Sequence, residues 1–148
     1  MSYIPTQIAL QQYNQVRADA GVAYANPHKL IQMLFEGALD KIANAKGCML
    51  RAEIAQKGAL ISDAISIVEG LRVSLDKSAG GELAQHLDNL YGYMESRLLR
   101  ANYENNPALL DEVCGLLREV KSAWDAIPDS IIQTSLAGQQ LDQQAAAG

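Results

Sequence analysis

Two cysteines and two histidines are the residues of this chain that most readily ligate metals or act as nucleophiles. Cys48 and Cys114 form no Cys-x-x-Cys pair, and neither has a histidine at metal-binding spacing. We therefore predict two buried, reduced thiols, as is usual for a cytosolic protein. A disulfide is the alternative, and it requires that the two Cα atoms lie within about 7 Å of each other.

The histidines, His28 and His86, do not form the motif of a metal site. A di-iron site in a helical bundle needs two Glu-x-x-His pairs, whereas Glu82 precedes His86 by four residues and His28 has no acidic residue at that spacing. The sequence also lacks the Gly-x-Ser-x-Gly motif and the phosphate-binding P-loop motif. Its acidic residues are predicted to form solvated faces and not convergent pairs. We expect a protein that is not an enzyme, with no metal and no cofactor.

The composition indicates which elements must position the remaining side chains. The chain has 148 residues, of which 49% are hydrophobic, mostly alanine and leucine, and only eight are aromatic. Alanine and leucine favour helices, whereas strands prefer β-branched and aromatic residues. The length fits one domain with a real core, and the composition predicts an all-α fold.

Charge and hydropathy limit the partners and the compartment. The net charge of −5 argues against a protein that holds nucleic acid or anionic lipid by bulk charge. No apolar stretch approaches the roughly 20 residues that span a bilayer. The first six residues carry no basic region typical of a signal peptide. We therefore expect a cytoplasmic protein that binds no nucleic acid and does not insert into membranes.

Prolines and glycines divide the chain into helices. Asn26-Pro27 and Asn106-Pro107 each resemble an N-cap followed by proline in the first helical turn. Gly80-Gly81 is the clearest internal break. A further break is needed between about residues 51 and 58, because a helix from 27 to 78 would be about 75 Å long. These signals predict helices at about 27–52, 55–78, 81–105 and 107–127.

Short connections between these helices predict an antiparallel up-down-up-down four-helix bundle over residues 26–127. Residues 1–25 are expected to form an N-terminal cap, either a strap or a short helix. Residues 128–148 are expected to be a partly disordered C-terminal tail. Lys46-Gly47 and Lys57-Gly58 are interpreted as flexible points in or beside helices.

The helical faces carry different amounts of apolar surface. The fourth helix has an apolar arc of roughly 120°, which is enough to face a bundle core. The first three helices carry apolar residues outside such an arc, and the arc of the second is roughly 160° wide. The terminal segments or a second copy of the chain could cover this surplus. The alternative is a groove for an amphipathic partner helix.

Several sequence strings resemble the FliS-type flagellin export chaperones. They run in family order through residues 13–127, and the string at 90–102, Leu-Tyr-Gly-Tyr-Met-Glu-Ser-Arg-Leu-Leu-Arg-Ala-Asn, is the most specific. The others are Asn-Pro-His-Lys-Leu-Ile-Gln-Met-Leu-Phe-Glu-Gly-Ala-Leu at 26–39, Gly-Leu-Arg-Val-Ser-Leu-Asp at 70–76, and the pairs Glu112-Val113, Leu116-Leu117 and Ala123-Trp124. Asn26 stands where a serine is common, and the glutamine- and alanine-rich tail has no family pattern.

The resemblance implies a cytoplasmic chaperone that works without ATP. Such a protein binds the disordered C-terminal segment of flagellin, prevents premature polymerisation and delivers flagellin to the flagellar export gate protein of the type III apparatus. It also implies an antiparallel four-helix bundle with an N-terminal cap. In the family a tyrosine near the N-terminus can lie over the binding groove before flagellin arrives, and Tyr13 resembles that residue.

The predicted flagellin surface combines the second and third helices with the adjoining strip of the first. Seven residues are the predicted contacts: Tyr13, Leu60, Ile67, Leu71, Tyr93, Leu99 and Tyr103. Leu34, Tyr91 and Trp124 are expected to be structural anchors of the family fold, with plain core packing as their simplest role. The alternative function is a self-associating helical bundle that acts as a structural or adaptor protein, with the surplus apolar surface as a homodimer face.

Overall fold

Four helices in a closed ring form the part of the chain that this computed structural model describes, residues 26–127. They are α1 (Pro27–Leu50), α2 (Ile54–Val73), α3 (Lys77–Glu104) and α4 (Pro107–Asp125). Both α1 and α3 pack against α2 and α4, and no strand occurs within the described range. The predicted all-α four-helix bundle is confirmed.

The helices run antiparallel, as the contacts between their ends show. The beginning of α1 meets the end of α4 through His28 and Trp124, which stack with ring centroids 5.0 Å apart. Nε2 of His28 lies 2.7 Å from the carbonyl oxygen of Trp124, and Nε1 of Trp124 donates to the carbonyl of His28 at 3.0 Å. Further along the same two helices, Lys46 of α1 pairs with Asp111 of α4 at 2.9 Å. Neighbouring helices joined by short turns cannot readily pack in any other direction.

Asparagine side chains begin two of the helices, as predicted. The Asn26 side chain accepts a hydrogen bond from the Lys29 amide, and the Asn106 side chain accepts one from the Ala108 amide, each at 3.0 Å. Proline follows each cap. Because the free amides of the first turn find acceptors there, both helices begin where the sequence pattern places them.

The boundary between α2 and α3 differs from the prediction. The second helix ends at Val73, and the third begins at Lys77 because the Asp76 carboxylate accepts the amides of Ser78 and Ala79. The expected break at Gly80-Gly81 is a kink inside α3, where Gly81 has φ 55°. A strong N-cap four residues earlier thus extends the helix across the glycines.

The core lies on the axis of the ring and receives side chains from all four helices. Its largest fully buried members are Phe35, Ile42, Ile61, Leu71, Met94, Leu98, Leu110 and Leu117. Cys48 and Cys114 are buried and free, so the predicted thiols are confirmed and the disulfide is not formed. Burial raises the pKa of both thiols, which keeps them protonated and unreactive.

A buried lysine joins α2 to α3 at the opposite end from His28. Lys57 is only 3% exposed, and its ammonium donates to the carbonyl of Asn102 at 3.0 Å and to the side-chain oxygen of Asn105. Asn105 has φ 51° and ends α3. The interpretation of Lys57-Gly58 as a flexible point is therefore wrong, since Lys57 supplies donors to the C-terminus of the neighbouring helix.

We expect Lys57→Met to lower the free energy of unfolding by about 1–3 kcal/mol, because the Asn102 carbonyl and the Asn105 side chain at the end of α3 lose the donor that the buried ammonium supplies. Urea unfolding followed by circular dichroism measures this change. Lys46→Met is the matched control, since the Lys46–Asp111 pair is exposed and its loss should cost less than about 1 kcal/mol. Equal losses in the two variants would contradict a structural role for the buried ammonium.

Candidate partner-binding groove

Exposed apolar side chains are concentrated on α3. Leu99 is 61% exposed and Tyr103 is 88% exposed, and they follow Glu95 at intervals of four residues. Residues at this spacing lie along one strip of a helix. The strip presents an acidic group and then two large apolar groups to its surroundings.

The same strip of α3 lies beside α2. Arg72 of α2 contacts Glu95 at one end, with Nη1 3.1 Å from Oε2, and Lys57 of α2 bonds the Asn102 carbonyl near the other end. On α2, Ile65, Glu69 and Arg72 follow one another at helical spacing, and Ile65 is half-buried against the core. We define the α2–α3 groove by two strips of side chains: Ile65, Glu69 and Arg72 of α2, and Glu95, Leu99 and Tyr103 of α3.

Arg72 organises the acidic end of the groove. Its Nε donates to Oδ1 of Asp88 at 2.7 Å, and its Nη1 lies 3.9 Å from Oε2 of Glu69. The guanidinium packs against Gly92, where a Cβ would lie 3.4 Å from Nη1, in van der Waals contact. Lys77 also approaches Asp88, at 3.5 Å. One guanidinium thus joins α2 to α3 and contacts three carboxylates.

The carboxylates around Arg72 differ in their proton affinity. The hydrogen bond from Arg72 lowers the pKa of Asp88 below its usual value, so Asp88 is ionised. Burial, together with the neighbouring Glu69 carboxyl, raises the pKa of Glu95 to about 8. The Arg72 guanidinium lowers this pKa, but by less than Glu69 raises it. Glu95 therefore holds a proton over much of the neutral range.

The carboxylate cluster was not anticipated from the sequence. The prediction that the acidic residues form only solvated faces is wrong for three of them, since Glu69, Asp88 and Glu95 converge on Arg72. Their spacing carried a weak signal, because Glu69 and Arg72 are three residues apart and Asp88 and Glu95 are seven apart. That spacing places each pair on one helical face but does not show that the two faces meet.

Tyr93 lies on the other side of α3, toward α4. Its hydroxyl donates to Oε2 of Glu112 at 2.7 Å, and Arg97 donates from Nε to Oε1 of the same carboxylate at 2.7 Å. The Arg97 guanidinium also lies 5.4 Å from the centre of the Tyr93 ring. Of the predicted contacts on α3, the groove therefore contains Leu99 and Tyr103, and Tyr93 is separate from them.

The predicted contacts on α2 lie deeper than an open surface. Ile67 is 7% exposed and Leu71 is 1% exposed, while Leu60 is half-buried against the core. Ile67 points toward α1, since a Cβ on Gly37 would lie 3.6 Å from its Cδ1. The wide apolar arc of α2 is used because this helix packs against both α1 and α3. Contact between these three residues and a partner stays a prediction.

Two of the three expected anchors lie in the core. Leu34 and Tyr91 are buried in the core, and burial raises the pKa of Tyr91 to about 12. Trp124 is half-buried and bonds His28, as described above. Tyr13 and the segments 1–25 and 128–148 lie outside the described residues.

Two kinds of site, a metal-ion cluster and a membrane-spanning helix, are not found among the described residues. Among residues 26–127, no group of three or more histidine, cysteine, aspartate or glutamate side chains could hold a metal ion. Within the same range, no helix is both long enough and apolar enough to cross a bilayer.

We expect the Glu95 carboxyl to make stability fall as the pH rises. Its folded-state pKa of about 8 lies above the ordinary value of 4.5, so the stabilisation is complete below about pH 4.5 and is lost as the pH rises through about 8. Urea unfolding at pH 5, 7 and 9 should show a loss of roughly 2 kcal/mol from this group, about half of what the full shift implies because solvent screens a partly buried carboxyl, and Glu95→Gln should remove this loss. Glu104→Gln, at an exposed pair with Arg100, should leave the pH dependence unchanged. Parallel curves for the wild type and Glu95→Gln would contradict the shifted pKa.

Comparison with known proteins identifies the family. The family model described as flagellar protein FliS matches residues 9–130. The chain is 55% identical over 119 residues to flagellar secretion chaperone FliSB of Pseudomonas aeruginosa, covering 80% of this chain and 94% of that protein. It is 40% identical over 120 residues to FliS of Vibrio cholerae (81% and 88% covered) and 39% identical over 132 residues to FliS of Salmonella typhimurium (88% and 98% covered). The chain belongs to the FliS family.

Proposed function

We propose that this protein is a cytoplasmic flagellar secretion chaperone that binds the C-terminal region of flagellin. It prevents premature polymerisation and delivers flagellin to the flagellar export gate protein. It acts by binding alone, without catalysis. The observation that carries this proposal is the exposed apolar strip of Leu99 and Tyr103, which lies in the most specific family string of the sequence.

Similarity to proteins with this role supports the proposal. The relatives from Pseudomonas aeruginosa, Vibrio cholerae and Salmonella typhimurium are named flagellar secretion chaperones, and each is matched over more than four fifths of its length. The binding of flagellin and of the export gate protein is our extension of that name to this chain.

The energetics favour a long interface. A disordered client loses conformational entropy when it folds on its partner, typically about 2–5 kcal/mol or more. Leu99 and Tyr103 expose apolar surface to water. Burying apolar surface contributes about 25 cal/mol per Å² to the free energy of binding. A helix that follows the α2–α3 groove buries both residues, and further contacts along the bundle bring the area toward roughly 1,500 Å².

The double substitution Leu99→Asp and Tyr103→Asp should weaken binding of the flagellin C-terminal segment at least about 100-fold, because two charged groups replace the apolar contact. Fluorescence anisotropy of the labelled segment measures this. Circular dichroism should be unchanged, since both side chains are exposed. Leu50→Asp is the control, because Leu50 is 67% exposed at the end of α1 and should leave affinity unaltered.

Undiminished binding by the double variant would show that flagellin docks elsewhere. Sedimentation velocity with and without flagellin tests the alternative function, a self-associating adaptor bundle. A stable homodimer that ignores flagellin would contradict the chaperone proposal. A monomer that forms a heterodimer with flagellin would contradict the alternative.

We further propose that the N-terminal segment containing Tyr13 competes with flagellin, as the family resemblance implies. Removal of residues 1–20 should then tighten binding of the flagellin segment several-fold, because a competing intramolecular ligand is lost. The same anisotropy titration measures the change. Unchanged or weaker affinity would contradict competition by this segment.

A further inference from the structure

The acidic end of the α2–α3 groove contains more carboxylates than cations. Lys77 approaches Asp88, and the strongest bond of Arg72 also goes to Asp88. Glu69 and Glu95 therefore depend on the same nitrogen of Arg72, Nη1, which lies 3.9 Å and 3.1 Å from them. Coulomb repulsion between two carboxylates that share one cation is relieved by a second cation or by a proton.

We propose that the α2–α3 groove binds an amphipathic helix that places a lysine or arginine side chain against Glu69 and Glu95 while its apolar side chains cover Leu99 and Tyr103. This inference rests on the proposed function, since the occupant to which we commit is a helical part of the flagellin C-terminal segment. It adds the chemistry by which the groove selects its occupant.

The geometry of α3 sets the spacing expected in the partner. Glu95, Leu99 and Tyr103 are four residues apart, which corresponds to about 6 Å between successive side chains along the helix. A partner helix lying along this strip matches it with a basic residue and apolar residues about four and about seven or eight positions away. This spacing of one basic and two apolar residues distinguishes the expected partner helices from helices that carry only apolar residues.

Charge complementarity favours a basic group over a neutral one at this position. Burial and the Glu69 carboxyl raise the pKa of Glu95 to about 8, because a second negative charge beside Glu69 is unfavourable. A bound ammonium or guanidinium compensates that charge and donates hydrogen bonds to it. An apolar side chain at the same place would bury two acidic groups without a new partner.

A double-mutant cycle tests the inference with the full-length protein. The probe is the labelled C-terminal segment of flagellin from the same organism, in which each lysine and arginine is changed to glutamine one at a time. We expect one of these changes to weaken binding to the wild type about tenfold. The same change should have little effect, less than about twofold, when the chaperone carries both Glu69→Gln and Glu95→Gln.

The matched control is Glu119→Gln, an exposed carboxylate on α4, which should preserve the tenfold effect. If the segment binds but no basic residue couples to Glu69 and Glu95, the inference is wrong and the proposed function stands. If the segment does not bind the wild type, both are wrong. Binding of Ca²⁺ to the carboxylates, detected by titration with calcium, would also overturn the inference. So would pairing of the carboxylates with a second copy of the chain, detected by sedimentation.

The pH dependence of binding gives a second readout. The charged and titratable groups around Glu95 are Glu69 and Arg72 from α2 and Asp88 and Lys77 from α3. The pKa of the Glu95 carboxyl is raised to about 8. Affinity for the segment should rise severalfold from pH 6 to pH 9, since the deprotonated carboxyl attracts the cation. Glu95→Gln should flatten this dependence, and an unchanged slope would count against the cation position.

Discussion

The bond between Arg72 and Asp88 is the interaction on which the proposed binding surface depends. It joins α2 to α3 at 2.7 Å and holds the guanidinium between the two helices, against Gly92. Because that guanidinium is committed to Asp88, it compensates Glu69 and Glu95 incompletely. The same contact therefore stabilises the bundle and leaves the neighbouring groove acidic. An isolated exposed ion pair would contribute little, whereas a half-buried network with several carboxylates sets both geometry and local charge.

The ends of the bundle are closed by two polar contacts of different kinds. His28 and Trp124 bond each other's backbone carbonyls where α1 meets α4, and Lys57 bonds the end of α3 from within α2. The Lys57 ammonium donates to a carbonyl in the last turn of α3, where the intrahelical amide donors run out. Between these ends, Arg97 and Tyr93 hold Glu112 of α4. Polar contacts between neighbours thus surround an apolar core and leave Leu99 and Tyr103 as exposed apolar groups beside a rigid framework.

The sequence predicted a helix boundary well where the capping interaction lies within a few residues of that boundary. An asparagine followed by proline begins α1 and α4 because the cap satisfies amides within the next three residues. The boundary predicted at Gly80-Gly81 is wrong because the Asp76 cap begins α3 before the glycines. The tendency of glycine to leave helical geometry appears instead as a kink at Gly81. The bonding role of Lys57 could not be predicted from the local sequence, because its partners, Asn102 and Asn105, are more than forty residues away along the chain.

The sequence alone determined the fold class and the family, since composition, helical periodicity and the strings at 26–39 and 90–102 are properties of short stretches of chain. It also singled out Leu99 and Tyr103, because their positions on α3 lie outside the arc that the core needs. Only the tertiary structure decided that Ile67 and Leu71 are buried, that Tyr93 faces α4, and that Glu69, Asp88 and Glu95 converge on Arg72. The physical reason is that a helical face becomes core or surface, and a carboxylate becomes solvated or crowded, according to which neighbouring helix packs against it.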